Sequence, residues 1–81
     1  MTYSTGKIAV ITGAGSGIGR ALAQQLNSEG CHLHICDINE EGLASTVQSL
    51  QRTDVQVQTR LIDVSDKHAM QTWANDIARE F

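Results

Sequence analysis

The chain has 81 residues, 41% of them hydrophobic and 19% charged, with a formal net charge of −3. That length holds one small domain, which buries roughly 60% of its unfolded surface, and the composition is that of a globular protein rather than a disordered one. The negative charge excludes the basic footprint of a nucleic-acid binder, no apolar stretch approaches the ~20 residues of a membrane span, and the N-terminus lacks a signal-peptide core.

Residues 1–6 read as a short polar lead-in. Lys7 to Thr12 reads as a β-branched-rich strand with a nearly continuous apolar centre, the pattern of a strand covered on both faces. Then comes Thr12-Gly13-Ala14-Gly15-Ser16-Gly17-Ile18-Gly19. Glycines on a strand-to-helix turn let backbone N–H groups approach a phosphate with no Cβ in the way. A helix predicted from about Ile18 to Glu29 would aim its positive dipole end at the same spot. Ile18, Leu22 and Leu26 form its apolar stripe, and Gly30 suits the left-handed position that ends it.

His32 to Asp37 reads as a second strand. Asn39 is the expected N-cap of a second helix, with Glu40 and Glu41 in its first turn and Leu43, Val47 and Leu50 as its stripe. Gln51 to Asp54 is a polar turn, and Val55 to Val64 a third strand. Ser65-Asp66 caps a third helix, whose predicted buried side is Met70, Trp73, Ile77 and Phe81. The order βαβαβα, with short connections and no proline, predicts an α/β fold of three layers. It would be a Rossmann-type segment with parallel strand order 3-2-1 and right-handed crossovers. Residues 1–81 thus read as the N-terminal portion of a single dinucleotide-binding domain, with no second domain. In that incomplete doubly wound sheet, the first strand would keep an unpaired apolar edge.

The glycine loop is not the general G-x-G-x-x-G fingerprint. Gly13, Gly15 and Ile18 fail at its third position, and so do Gly15, Gly17 and Arg20. Nor is it a P-loop, since no G-K-[ST] follows. The pattern T-G-x-x-x-G-x-G resembles the cofactor motif of the short-chain dehydrogenase/reductase family. Asp37 and the run Leu61-Ile62-Asp63-Val64 extend the resemblance, which spans the chain but only about the first third of a typical member.

Gly13 is expected to make the tight turn, Gly17 to let a pyrophosphate come close, and Gly19 to let the helix pack near the sheet. The backbone of Ser16 and Ile18 would lie against the cofactor. The resemblance implies that Ile18 touches the pyrophosphate or nicotinamide end, that Asp63 hydrogen-bonds the adenine amino group, and that Val64 packs beside the ring. Asp37 lies about 20 residues beyond the loop, where a carboxylate accepts hydrogen bonds from ribose hydroxyls. It would repel a 2′-phosphate. Neither Ser16 nor Ile38, which completes the expected site, is basic, so NAD is expected over NADP.

The resemblance further implies an NAD(P)-dependent oxidoreductase moving a hydride between its nicotinamide cofactor and an alcohol/carbonyl substrate, with a Ser-Tyr-Lys catalytic set. Tyr3 and Lys7 reproduce the Y-x-x-x-K spacing, but Ser4-Thr5-Gly6 is a poor helical turn and Lys7 opens the first strand, at the end remote from the cradle. These residues therefore contain no expected catalytic group, and alone should be inactive. His32 and His34 share a strand face without a third ligand in view, so no metal is expected. Cys31 and Cys36 read as reduced, buried thiols. The expected location is cytoplasmic, with no nucleic-acid or membrane partner and a homo-oligomer only with a further C-terminal part. The alternatives are a non-catalytic dinucleotide-binding module and an inactive truncated gene product.

Overall fold

The computed structural model of the chain describes residues 2–5 and 8–80. In order come β1 (Thr2–Thr5), β2 (Ile8–Thr12), α1 (Gly17–Ser28), β3 (His32–Asp37), α2 (Glu40–Ser49), β4 (Val57–Leu61) and α3 (Lys67–Glu80). The sheet runs β1-β2-β3-β4. Strands β2, β3 and β4 are parallel, with Ile8 opposite His32 and Leu33 opposite Val57. These three crossover strands stand in the expected 3-2-1 order, and the fold is Rossmann-like.

The lead-in differs from expectation. Thr2–Thr5 is a strand antiparallel to β2, with Thr2 opposite Ile11 and Thr5 opposite Ile8. The β2 edge expected to stand bare is therefore paired. Four polar residues carry too little periodicity to be read as a strand, whereas the donors and acceptors along a neighbouring apolar strand supply the reason to pair. Expectations on Lys7 and Phe81 fall outside the described residues, as does the Tyr3 side chain.

Strand alternation sorts side chains between two faces. Ala9, Ile11, Leu33 and Ile35 join Ala14, Ala23, Cys31 and Leu43 in a core beneath α1 and α2, bordered by Leu22, Leu26, Leu50 and Val57. On the other face Cys36, Ile62 and Trp73 form a second cluster with Val10, Ala69, Met70 and Ile77. Successive crossovers of one hand in one direction place α1 and α2 on the same face, and α3 covers the opposite one. Ile11, Leu33 and Ile35 are the largest fully buried apolar side chains, each worth about 1.5–3 kcal/mol of transfer free energy.

The predicted helix ends hold. Gly30 has φ 89°, the Gly30 N–H donates to the Asn27 carbonyl and the Cys31 N–H to the Leu26 carbonyl, both at 3.0 Å, which is the Schellman pattern. Asn39 Oδ1 accepts from the Gly42 N–H at 2.9 Å, and Asp66 Oδ1 from the Ala69 N–H at 3.0 Å. The apolar stripes need correction. Ile18 is 81% exposed, because the first turn of α1 stands beyond the end of the sheet. On α2 the buried residues are Leu43 and Thr46, while Val47 faces outward. Strand β4 stops at Leu61 rather than Val64, where the chain turns. No helix among the described residues is long and apolar enough to cross a membrane.

Candidate functional site

Gly13 through Ser16 form the turn that leaves β2, and Gly17 to Gly19 are the first turn of α1. Gly17 has φ 56°, the left-handed region that side chains resist, and nothing lies within 4 Å of where a Cβ would stand. The space beside it is open. Gly19 is the opposite case. A Cβ there would land on the Gly13 carbonyl and come within 3.0 Å of Ala14 Cα, so its bare backbone lets α1 rest directly on the loop.

The N-terminus of α1 is left uncapped. Ser16 is extended, with φ −164°, its side chain makes no capping hydrogen bond, and the first turn holds no acidic residue. The Arg20 N–H bonds back to the Ser16 carbonyl at 3.3 Å, which leaves the preceding amides of Gly17, Ile18 and Gly19 without helical partners. Helix α2 differs: Asn39 caps it, and Glu40 and Glu41 face its dipole. One helix thus satisfies its positive end internally, and the other presents that end beside an open space, a ready site for an anion.

Asp37 is bonded to the same turn. Its Oδ2 accepts from the Gly15 N–H at 2.8 Å and its Oδ1 from the Asn39 N–H at 2.9 Å. A Cβ on Gly15 would lie 2.9 Å from the same carboxyl group. A carboxylate offers about four acceptor positions, so both oxygens keep capacity for hydroxyl donors. Three large apolar side chains on the same edge are exposed: Ile18 at 81%, Ile38 at 68% and Val64 at 57%. All three sit past the C-terminal ends of parallel strands or in the first turn of α1, where ligands bind in open α/β sheets.

Asp63 is exposed beyond the end of β4. Its Oδ1 accepts from the Ser65 N–H at 2.9 Å and the Ser65 hydroxyl at 2.7 Å, and these bonds, the hydroxyl's first, hold its carboxyl below the usual range. The Ile62 N–H donates to the Asp37 carbonyl at 3.1 Å, tying this turn to the end of β3. The expected residues Gly13, Ser16, Gly17, Ile18, Gly19, Asp37, Ile38, Asp63 and Val64 therefore fall along one edge, across the C-terminal ends of β2, β3 and β4. Asp37 touches the loop directly, while Asp63 and Val64 join through the strand ends.

Two residues at the loop escaped the sequence reading. Arg20 Nη2 donates to the Gly15 carbonyl at 2.6 Å and Arg20 Nε to Thr46 Oγ1 at 3.0 Å. A polar residue spaced among the α2 apolar positions is the available signal for Thr46, which is buried where its neighbour Val47 is exposed. Elsewhere His32 Nδ1 accepts from the Gln56 N–H at 2.9 Å. Cys31 and Cys36 are free and buried, and burial pushes the Cys36 thiol up from its ordinary pKa.

Residues 7–81 match the family model described as short chain dehydrogenase. Levodione reductase of Leifsonia aquatica is 35% identical over 82 residues, covering 99% of this chain and 31% of that protein. The crystal structure of a short chain dehydrogenase/reductase from Burkholderia phymatum in complex with NAD is similar with a TM-score of 0.78 at 44% identity, over 88% of this chain and 25% of that one. A metagenomic short-chain oxidoreductase in complex with NADP gives 0.81 at 26% identity, over 91% and 34%. The chain spans only about a third of the length of such relatives. With the family's glycine pattern on a strand-to-helix turn of a Rossmann-like sheet, and the family model matched from residue 7 onward, this chain belongs to the short-chain dehydrogenase family.

Proposed function

We propose that these residues hold the adenosine and pyrophosphate part of a nicotinamide dinucleotide, NAD in preference to NADP. The protein would be an oxidoreductase that moves a hydride between this cofactor and an alcohol or carbonyl substrate. The observation that carries the reading is the uncapped N-terminus of α1 beside the open space at Gly17, with the Asp37 carboxylate across from it. Unpaired first-turn amides and the dipole end would take the pyrophosphate. The remaining acceptor positions of Asp37 would take the ribose hydroxyls, and Ile38 and Val64 supply apolar surface for the adenine. Ile18 would lie along the cofactor toward its nicotinamide end. Asp63 is the proposed partner of the adenine amino group.

A bound NAD would supply the hydride-accepting ring. The residues gathered here bind and orient, and the catalytic acid/base set belongs to other parts of the family's chain. A 2′-phosphate would meet the Asp37 carboxylate with no basic side chain at Ser16 or Ile38 to offset it, while Arg20 is engaged with backbone carbonyls and Thr46. A second reading is a dinucleotide-binding module without turnover; the pairing of β1 with β2 gives β2 a partner along the edge expected to stand bare.

The test is calorimetric titration of the protein, as its gene encodes it, with NAD and NADP, followed by turnover with alcohols. NAD is expected to bind the more tightly. Asp37→Arg should move the ratio toward NADP by at least about tenfold, by removing one repulsion and adding a phosphate partner. An unchanged ratio would remove Asp37 from the selectivity role. Binding of neither dinucleotide would end the proposal, and binding without turnover would select the module.

A further inference from the structure

Glycines at 13, 15 and 17 give the loop little torsional reason to keep one shape, and its peptide planes are held from outside. Thr46, fully buried on α2, donates its hydroxyl proton to the Ala14 carbonyl at 2.6 Å. Arg20 Nε fills an acceptor position of that hydroxyl at 3.0 Å. Arg20 Nη2 donates to the Gly15 carbonyl at 2.6 Å and reaches the Gly42 carbonyl at 3.3 Å. The Gly42 carbonyl, 3.1 Å from Thr46 Oγ1, is the competing acceptor for the single hydroxyl proton. Because Arg20 supplies Gly42, the proton is free for Ala14. Helix α2 and the loop touch so closely that a Cβ on Gly42 would lie 2.6 Å from the Gly15 oxygen.

These contacts fix where the loop amides point. None of the described peptide bonds is cis, and in a trans plane the C=O and N–H point opposite ways. With the Ala14 carbonyl turned onto Thr46, the Gly15 N–H faces Asp37, as its 2.8 Å bond records. With the Gly15 carbonyl turned onto Arg20, the Ser16 N–H on the far side of the same peptide plane is directed away from the guanidinium.

We infer that Arg20 and Thr46 are positioning residues for the phosphate loop. By drawing the Ala14 and Gly15 carbonyls back toward α2, they aim the Ser16 amide outward to join the α1 first-turn amides on a dinucleotide's pyrophosphate. This rests on the dinucleotide reading above. Neither side chain touches the ligand; both act through peptide planes that glycine leaves free to flip.

The experiment compares NAD, ADP-ribose and adenosine binding to the gene-encoded protein and to Thr46→Val, Thr46→Ser and Arg20→Lys. Valine keeps the shape and removes the hydroxyl, and lysine keeps the charge and removes the fork. Both should weaken NAD and ADP-ribose about tenfold, as expected of misdirecting one charge-assisted hydrogen bond, and leave adenosine within about twofold. Thr46→Ser should restore wild-type affinity. If NAD and adenosine weaken in equal proportion, or neither changes, the positioning role is refuted. If Thr46→Val does not fold by circular dichroism, Arg20→Lys decides by the same ratio. Failure of the unaltered protein to bind ADP-ribose would instead overturn the dinucleotide reading and take this inference with it.

Discussion

Two alanine substitutions two residues apart should fail in different ways. At Gly19 a methyl group would overlap the Gly13 carbonyl, stand 2.7 Å from its carbon and 3.0 Å from Ala14 Cα. All three obstacles are backbone, so no side chain can swing aside, and α1 must move off the loop. Overpacking of this kind costs about 1–3 kcal/mol, and an overlap with rigid backbone belongs at the upper end. A loss of about 3 kcal/mol is a large part of the 5–15 kcal/mol that holds a typical domain together. At Gly17 the methyl group meets nothing within 4 Å, and the penalty is the left-handed backbone at φ 56°, about 1–2 kcal/mol. Urea unfolding of the gene-encoded protein should therefore show the larger loss for Gly19→Ala. Dinucleotide affinity, measured by calorimetry on the folded fraction, should fall in both. In Gly17→Val the bulkier side chain should abolish it by filling the pyrophosphate space. Wild-type stability in Gly19→Ala would refute the helix-on-loop contact, and undiminished NAD affinity in Gly17→Val would refute the cradle.

Other expectations concern titrating groups. The Ser65 hydroxyl and amide hold the Asp63 carboxyl below its ordinary value of 3.8. A depressed folded value stabilises the fold fully above the unfolded carboxylate range of about 4, and that contribution disappears as pH falls through the folded value. Carbon-detected NMR titration should place Asp63 below that range, and Ser65→Ala should raise it; an unmoved titration would show that the serine does not set it. Burial holds the Cys36 thiol in its neutral form, so alkylation of Cys36 by iodoacetamide at mildly alkaline pH should be slow in the native protein and fast in denaturant. Equal rates in the two would contradict its burial.

Much of the site was legible because its chemistry is local. The proposed phosphate loop needs bare backbone at set intervals between a buried strand and a helix, and Gly13, Gly17 and Gly19 announce that need in a single short run. Asp37 was readable because strand β3 has a definite end, and the residue after the last buried position of a parallel strand emerges at the edge proposed to hold the ligand. Asn39 and Gly30 were readable for a similar reason: caps answer to the helix's own unpaired groups.

What the chain order alone decided, then, was the alternation of strands and helices, the 3-2-1 placement of the crossover strands, and the glycine turn. Each follows from periodicity and from backbone freedom within a few neighbouring residues. Tertiary contact decided the rest. Thr2–Thr5 became a strand because β2 offered an edge to pair with. Ile18 lost its place in the apolar stripe because the sheet ends beneath it. Arg20 and Thr46 met although they lie 26 residues apart, since only the packing of α1 against α2 brings a guanidinium to the Gly15 carbonyl and a buried hydroxyl to the Ala14 carbonyl beside it. Nothing in the spacing of either helix signals that contact in advance, and the partner the Thr46 hydroxyl has in its own helix, the Gly42 carbonyl, is an ordinary i−4 acceptor.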